Sequence, residues 1–115
     1  MTIKENERIQ ATLQSLRTTL VEMQAHAPFD KSHIDKLTNL LDDYLTELEQ
    51  VSTKDDALKL VERTVNAINF VNEDANEEMI ETMEREDIAE VINYACVLKG
   101  YAAEDDDLTE DYRDW

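Results

Sequence analysis

Cysteine, glycine, proline and tryptophan each occur once in the 115 residues, and lysine with arginine supply only 11. Each scarcity excludes something. A lone Cys96 permits no intrachain disulfide, no two-cysteine redox motif and no thiolate zinc site, which suits a reducing compartment. A lone Gly100 leaves no glycine-rich phosphate loop and no nucleophile elbow to propose. No stretch approaches the roughly 18 apolar residues of a membrane span, and the first residues, Thr2 to Arg8, carry charges where a signal peptide needs an apolar run, so a cytoplasmic protein is expected. Against the 11 bases stand 28 acids, a formal net charge of −17. Nucleic acid and anionic bilayers are met by basic patches, so direct binding to either is excluded and a basic protein is the expected partner. Hydrophobic residues at 42% still provide for one folded domain.

With so few breakers the chain reads as all α, a four-helix bundle-like single domain over 1–100 followed by an acidic tail over 101–115. Ile9, Leu13, Leu16, Leu20, Met23 and Ala27 recur at steps of 3 and 4 and predict a helix over 3–27, with Thr2 and Glu5 as a capping box. Pro28 ends it, and Asp30 or Ser32 caps a second helix over 31–50, with Phe29 and Ile34 as a hydrophobic staple around Asp30. Its stripe is Ile34, Leu37, Leu41, Tyr44, Leu48 and Val51, flanked by Leu40 and Leu45, and it should form an antiparallel hairpin with the first. Ser52 to Asp56 reads as a cap with an acidic first turn opening a third helix over 53–75. Its stripe is Leu58, Val61, Val65, Ile68 and Ala75, broadened by Ala57, Leu60, Ala67, Phe70 and Val71, with Asn72 marking fraying at the end. Thr82 is the expected N-cap of a fourth helix over 83–99, whose Ile88, Val91, Ile92, Ala95 and Leu98 face inward and which stops at Gly100. The remaining fifteen residues carry seven acids and one base and read as a mobile tail.

Little catalytic chemistry can be assembled from these residues. Di-metal helical bundles need Glu-x-x-His pairs on two helices, and none occurs. Glu22 with His26 and Asp30 with His33 have ligand-like spacing, but all four flank the Pro28 turn, where capping residues belong. Asp105, Asp106 and Asp107 lack the alternating ligands and central glycine of a calcium loop. Cys96 lies among Ala95, Val97 and Leu98 with no histidine nearby in sequence, and reads as a small buried hydrophobe. No catalytic, cofactor-binding or metal-binding residue is assigned, and a non-enzymatic role is expected.

What distinguishes the chain is where its charge lies. Residues 1–50 carry a net −4, residues 51–100 a net −7 and the tail −6. The dense stretch Glu73, Asp74, Glu77, Glu78, Glu81, Glu84, Glu86, Asp87 and Glu90 is opposed only by Arg85. A domain of this size needs a charge magnitude of only about 2–8 for solubility, so the excess points to a basic partner or a halophilic setting. The expected partner-binding residues are Glu73, Asp74, Glu77, Glu78, Glu81, Glu84, Glu86 and Asp87, with Tyr101, Tyr112 and Trp115 as aromatic anchors within that field.

The block Val65-Asn66-Ala67-Ile68-Asn69, followed by Met79-Ile80-Glu81-Thr82-Met83-Glu84-Arg85-Glu86-Asp87-Ile88, resembles small acidic helical immunity-type proteins of bacterial toxin systems over roughly residues 58–100. The resemblance implies a non-enzymatic antidote that binds a cognate toxin, often a cationic nuclease, and blocks its active site or substrate surface. It transfers no binding residue. The same residues also have a purely structural reading, Thr82 capping the last helix and Arg85 tying the turn to a neighbouring carboxylate. Two further readings stand beside it: a nucleic-acid mimic that inhibits DNA-binding enzymes, and a helical regulatory module that forms a homodimer through spare apolar surface.

Overall fold

Every helix starts where a nearby side chain can take up backbone N–H groups that no earlier turn can satisfy. The computed structural model describes residues 2–115, and among them are four α-helices and no strand: α1 (Glu7–Gln24), α2 (Lys31–Gln50), α3 (Lys54–Asp74) and α4 (Thr82–Leu98). The Thr2–Glu5 capping box forms, but it closes a single 3₁₀ turn, Ile3–Glu5, and the Asn6 side chain then caps α1 by accepting from the N–H groups of Arg8 and Ile9. The helix anticipated over 3–27 is therefore broken in two and ends at Gln24, ahead of Pro28. Asp30 caps α2, with its Oδ1 accepting from the Ser32 N–H, and Phe29 and Ile34 on either side of it are both buried. Thr53 caps α3 by accepting from the Asp56 N–H.

The cap of α4 differs from the expectation. Glu81 occupies the N-cap position, Glu84 reaches back to accept its N–H at 2.9 Å, and Thr82 is the first helical residue. Arg85 donates to the Thr82 hydroxyl at 3.3 Å instead of reaching a carboxylate. Gly100 ends α4 as anticipated. At φ +78° it donates to the Val97 carbonyl while Tyr101 donates to that of Cys96, the paired bonds of a Schellman motif.

The helices close only three sides of the bundle. α1 packs chiefly on α4 and α2 on α3, α2 also touches both α1 and α4, and α3 and α4 have little direct contact. Ile9, Leu16 and Leu20 of α1 share a core with Ile34, Leu37, Leu41, Leu45 and Leu48 of α2, Val61, Val65 and Ile68 of α3, and Ile88, Val91 and Ile92 of α4. Tyr44 is buried with them because its hydroxyl has a partner, the Ile92 carbonyl at 2.7 Å. Four apolar residues anticipated in this core lie outside it: Leu58 and Ala67 are half-buried beside the cluster, and Phe70 and Leu98 face solvent. Phe70 is 71% exposed and Leu98 41%, since no element covers the outer side of the α2–α3 pair or the last turn of α4.

The space between α3 and α4 is occupied by residues 101–115, and the expectation of a mobile tail is corrected here. Asn93 of α4 accepts from the Leu108 N–H at 2.8 Å and donates to Asp107 at 3.2 Å. Asn69 of α3 donates to the Tyr112 carbonyl at 2.8 Å and accepts from the Asp114 N–H at 3.0 Å. Thr109 is fully buried between them, and Leu108, Tyr112 and Trp115 pack against the core. The acids of the segment face solvent while its few apolar residues face inward, so a low apolar content is enough to dock it.

Asn69 supplies both polar ends of that α3 contact. Asn69→Leu should lower stability by about 1–3 kcal/mol, the cost of orphaning hydrogen-bonded backbone groups, and make 101–115 protease-sensitive before the bundle unfolds. Urea unfolding with limited proteolysis tests this, and cleavage no faster than in the parent would refute the clamp.

Candidate basic-partner surface

The turn from α3 into α4 determines where the acids point. Ala75 is fully buried at the end of α3, and Met79 and Ile80 are buried again before α4. Between these anchors the backbone reverses through two residues at positive φ, Asn76 at 58° and Glu77 at 60°. Asn76 donates to the Glu73 carbonyl and Glu77 to that of Asn72, another Schellman pairing. The Asn72 side chain then accepts the buried Ile80 N–H at 3.1 Å. Asn72 is thus a buried clamp on this connection, not a sign of fraying. Asparagine tolerates the left-handed region, whereas a glutamate there costs roughly 1–2 kcal/mol, so Glu77 sits at a strained, outward-pointing position.

The anticipated binding residues divide accordingly. Glu73, Glu77, Glu78, Glu81 and Glu86 are exposed and, among the described residues, take part in no ion pair. Asp74 is exposed but meets His33 Nε2 at 2.9 Å, and His33 Nδ1 faces the Asp30 cap, so this carboxylate joins the end of α3 to the start of α2. Glu84 is only 2% exposed, because its carboxylate turns back to the Glu81 N–H; it is withdrawn from the surface. Asp87 accepts from Ser15 on α1 at 3.2 Å. The three aromatics are withdrawn as free anchors too. Tyr101 donates to the Val51 carbonyl, and Tyr112 and Trp115 are half-buried against the core.

A cleft that the one-dimensional pattern does not reveal lies beside the connection. Glu78 and Glu81 face Glu22 and His26 from the end of α1, over a floor containing Met23 and Ala27, around about 390 Å³. Glu22, like Glu78 and Glu81, is in no ion pair among the described residues. An apolar floor beneath carboxylates suits a lysine or arginine, whose stem is apolar and whose head is charged. The molecule displays the same chemistry internally. The Arg8 guanidinium lies 3.9 Å from the centre of the Tyr94 ring, pairs with Glu90 and approaches Glu104 at 3.5 Å, in a second acidic cleft between α4 and residues 104–107. Unlike that cleft, the one beside Glu78 has no lysine or arginine among the described residues that line it.

Other chemistry is sparse. Burial pushes the Cys96 thiol up, against a hydrogen bond with Tyr44, the opposite of the depressed value that activates a nucleophilic thiol. Among the described residues no three His, Cys, Asp or Glu side chains converge as a metal-ligand group, and no helix is long and apolar enough to cross a membrane. The Asp105–Asp107 run is turned to local structure, Asp106 accepting from the Ala103 N–H and Asp107 from Thr109, Asn93 and Arg113.

Fold and surface together define a small, strongly acidic all-α bundle closed by its own C-terminal segment. The chain belongs to DUF5713, a family of unknown function, which matches it over residues 13–115 and so includes the docked segment. Comparison with curated proteins and with solved structures finds no match.

Two predictions follow from the strain and charge of this surface. Glu77→Gly should stabilise the protein by about 1 kcal/mol more than Glu77→Gln, because only the glycine relieves the left-handed backbone while both remove the charge; equal effects in thermal unfolding would refute the strain. The second concerns pH. Burial raises the Asp87 carboxyl above its usual range, with Glu86 and Glu90 adding to the effect. The folded state then holds that proton more readily than the unfolded chain, so this group gains stability as pH falls through its raised value. Asp30, held low by bonds from Ser32, and Asp107, held low by Thr109 and Asn93 despite desolvation, have the opposite sign and lose stability as pH falls through their depressed values. Stability should therefore gain a contribution as pH falls through the raised Asp87 value and lose one as pH falls further through the depressed values of Asp30 and Asp107. Asp87→Asn should remove the gain from the pH dependence of the melting temperature, and a pH profile that the substitution leaves unchanged in shape would contradict the assignment.

Proposed function

We propose that this chain is a non-enzymatic acidic protein that binds and neutralises a basic protein partner in the cytoplasm, in the manner of an immunity protein against a bacterial toxin. The observation that carries the reading is the set of carboxylates that are in no ion pair among the described residues: Glu77 and Glu78, held outward between buried Ala75 and Met79, and Glu81 just after Ile80, with Glu78 and Glu81 sharing a cleft with Glu22. A carboxylate field of this kind accelerates encounter with a basic surface, and the cleft offers a seat for one cationic side chain. The similarity of the 65–69 and 79–88 blocks to immunity-type proteins supports the toxin as partner class. An arginine is the best-suited guest, since its planar fork engages carboxylates in pairs and its weakly hydrated head tolerates partial burial.

The test is affinity capture from the native host at low salt, elution at high salt and identification of the partner by mass. One basic protein should be retained and released as salt rises. A triple variant, Glu77→Lys, Glu78→Lys and Glu81→Lys, should weaken its binding by about 100-fold or more, each reversal costing a favourable pair and adding a repulsion. Undiminished binding by that variant would sink the proposal, and capture of several unrelated DNA-binding proteins would identify a nucleic-acid mimic in its place.

A further inference from the structure

Phe70 is the most exposed large apolar side chain of the described residues, and it stands beside a groove. Leu40 of α2 and Ala67 and Val71 of α3 line that groove with it, around about 450 Å³, and Lys36 and Asp43 flank it on α2. Lys36 and Asp43 form no ion pair among the described residues. None of these residues belongs to the cleft beside Glu78.

Two cross-links set the register of α2 against α3. Glu47 accepts from Arg63 at 2.9 Å at one end, and His33 meets Asp74 at 2.9 Å at the other. Leu40 is midway between residues 33 and 47, and the midpoint of 63 and 74 falls between Ala67 and Phe70, so the groove lies at the centre of the hairpin. Along α2, Lys36 is about 6 Å to one side of Leu40 and Asp43 about 4.5 Å to the other, at 1.5 Å per residue. A twofold axis lying in the interface plane through this point, perpendicular to the two helices, exchanges the two positions along α2: Lys36 of each copy meets Asp43 of the other, and each Phe70 is brought over α3 of the opposite copy. That is the self-complementarity an isologous dimer requires.

We infer that the outer face of α2 and α3 is a dimerisation surface for a second copy of this chain. The electrostatics of the patch agree with that occupant. In a chain of net charge −17, the charged residues flanking this groove cancel, so two copies can approach here without bringing their excess acids face to face. A basic partner would find one lysine and one aspartate at this groove, and no net attraction.

Sedimentation equilibrium on the full chain tests the inference, at about 0.3 M salt, where screening lengths of about 5–6 Å suppress the long-range repulsion between copies. A reversible dimer is expected. Phe70→Glu should raise its dissociation constant by about 30-fold or more, as loss of a central aromatic anchor does, with the melting temperature unchanged because the ring is exposed. Lys36→Glu or Asp43→Lys alone should each weaken the dimer by about tenfold. Together they re-form the reciprocal pair with its signs exchanged, and the double variant should return to within about threefold of the parent. A chain monomeric at all concentrations, a dimer indifferent to Phe70→Glu, or a double variant no better than the single ones would each overturn the proposal.

Discussion

Two buried amides on α3 carry the parts of the structure that are not helix. Asn69 and Asn72 stand three residues apart, and each completes hydrogen bonds that the adjoining chain cannot make for itself: Asn69 to the Tyr112 carbonyl and Asp114 N–H, Asn72 to the Ile80 N–H. A leucine or alanine at either place would suit the helix better by propensity. It would leave backbone groups without partners where the C-terminal segment and the α3–α4 connection meet the core. The amide is suited to this work because it donates and accepts at once, as a strand neighbour would. α3 thus presents apolar residues to α2 and polar clamps to the two irregular segments.

Those two segments hold much of the acid, which makes the clamps electrostatically important as well. Charges of one sign crowded onto 73–81 and 104–114 repel one another and favour expansion of the chain. The bases counter this selectively. Arg8 joins α1 to α4 and to Glu104, Arg17 joins α1 to α2 through Asp35, Arg63 joins α3 to α2 through Glu47, and Arg113 holds Asp107 within the C-terminal segment. None of these reaches Glu77, Glu78 or Glu81, and the nearby Arg85 turns to Thr82. The bases join elements together, and the connection between α3 and α4 is left with its charge uncompensated.

The helices were legible because the apolar spacing and the caps agreed with each other. Ile34, Leu37, Leu41 and Leu48 are buried as their periodicity required, and Asp30, Thr53 and Gly100 mark boundaries close to where their chemistry placed them. The errors have a common origin. Glu84 and Asn72 are polar, as is Asn69, whose clamp no spacing signalled, and nothing in a linear pattern distinguishes a polar residue facing water from one facing an unsatisfied backbone group. Residues 101–115 misled for the same reason: seven acids outweigh Leu108, Thr109, Tyr112 and Trp115 in composition, yet those four supply the buried side. Phe70 failed in the opposite direction: it is apolar and broadens the stripe in the linear pattern, but two residues, about 200° around the helix, from Ile68 it falls on the outer side that α2 does not cover. The cleft beside Glu78 joins residue 22 to residue 81, a proximity that no local spacing encodes.

The position of the uncompensated acids bears on how they could act. Side chains on a flexible loop lose backbone freedom when a partner orders them, and that loss subtracts from affinity. Here Ala75 on one side and Met79 and Ile80 on the other are packed into the core, and Asn72 bonds the backbone between α3 and α4, so the ordering has already taken place during folding. The left-handed turn at Asn76 and Glu77 is a consequence of that anchoring, because the chain must reverse within a few residues while keeping both ends buried. Strain, unpaired charge and preorganised backbone therefore coincide over residues 76–81. Each alone has an ordinary structural explanation, a helix stop, a solvated face or a packed loop. Their coincidence at one edge, beside the cleft lined by Glu22, Glu78 and Glu81, is the ground on which we propose this edge as the seat of a basic partner.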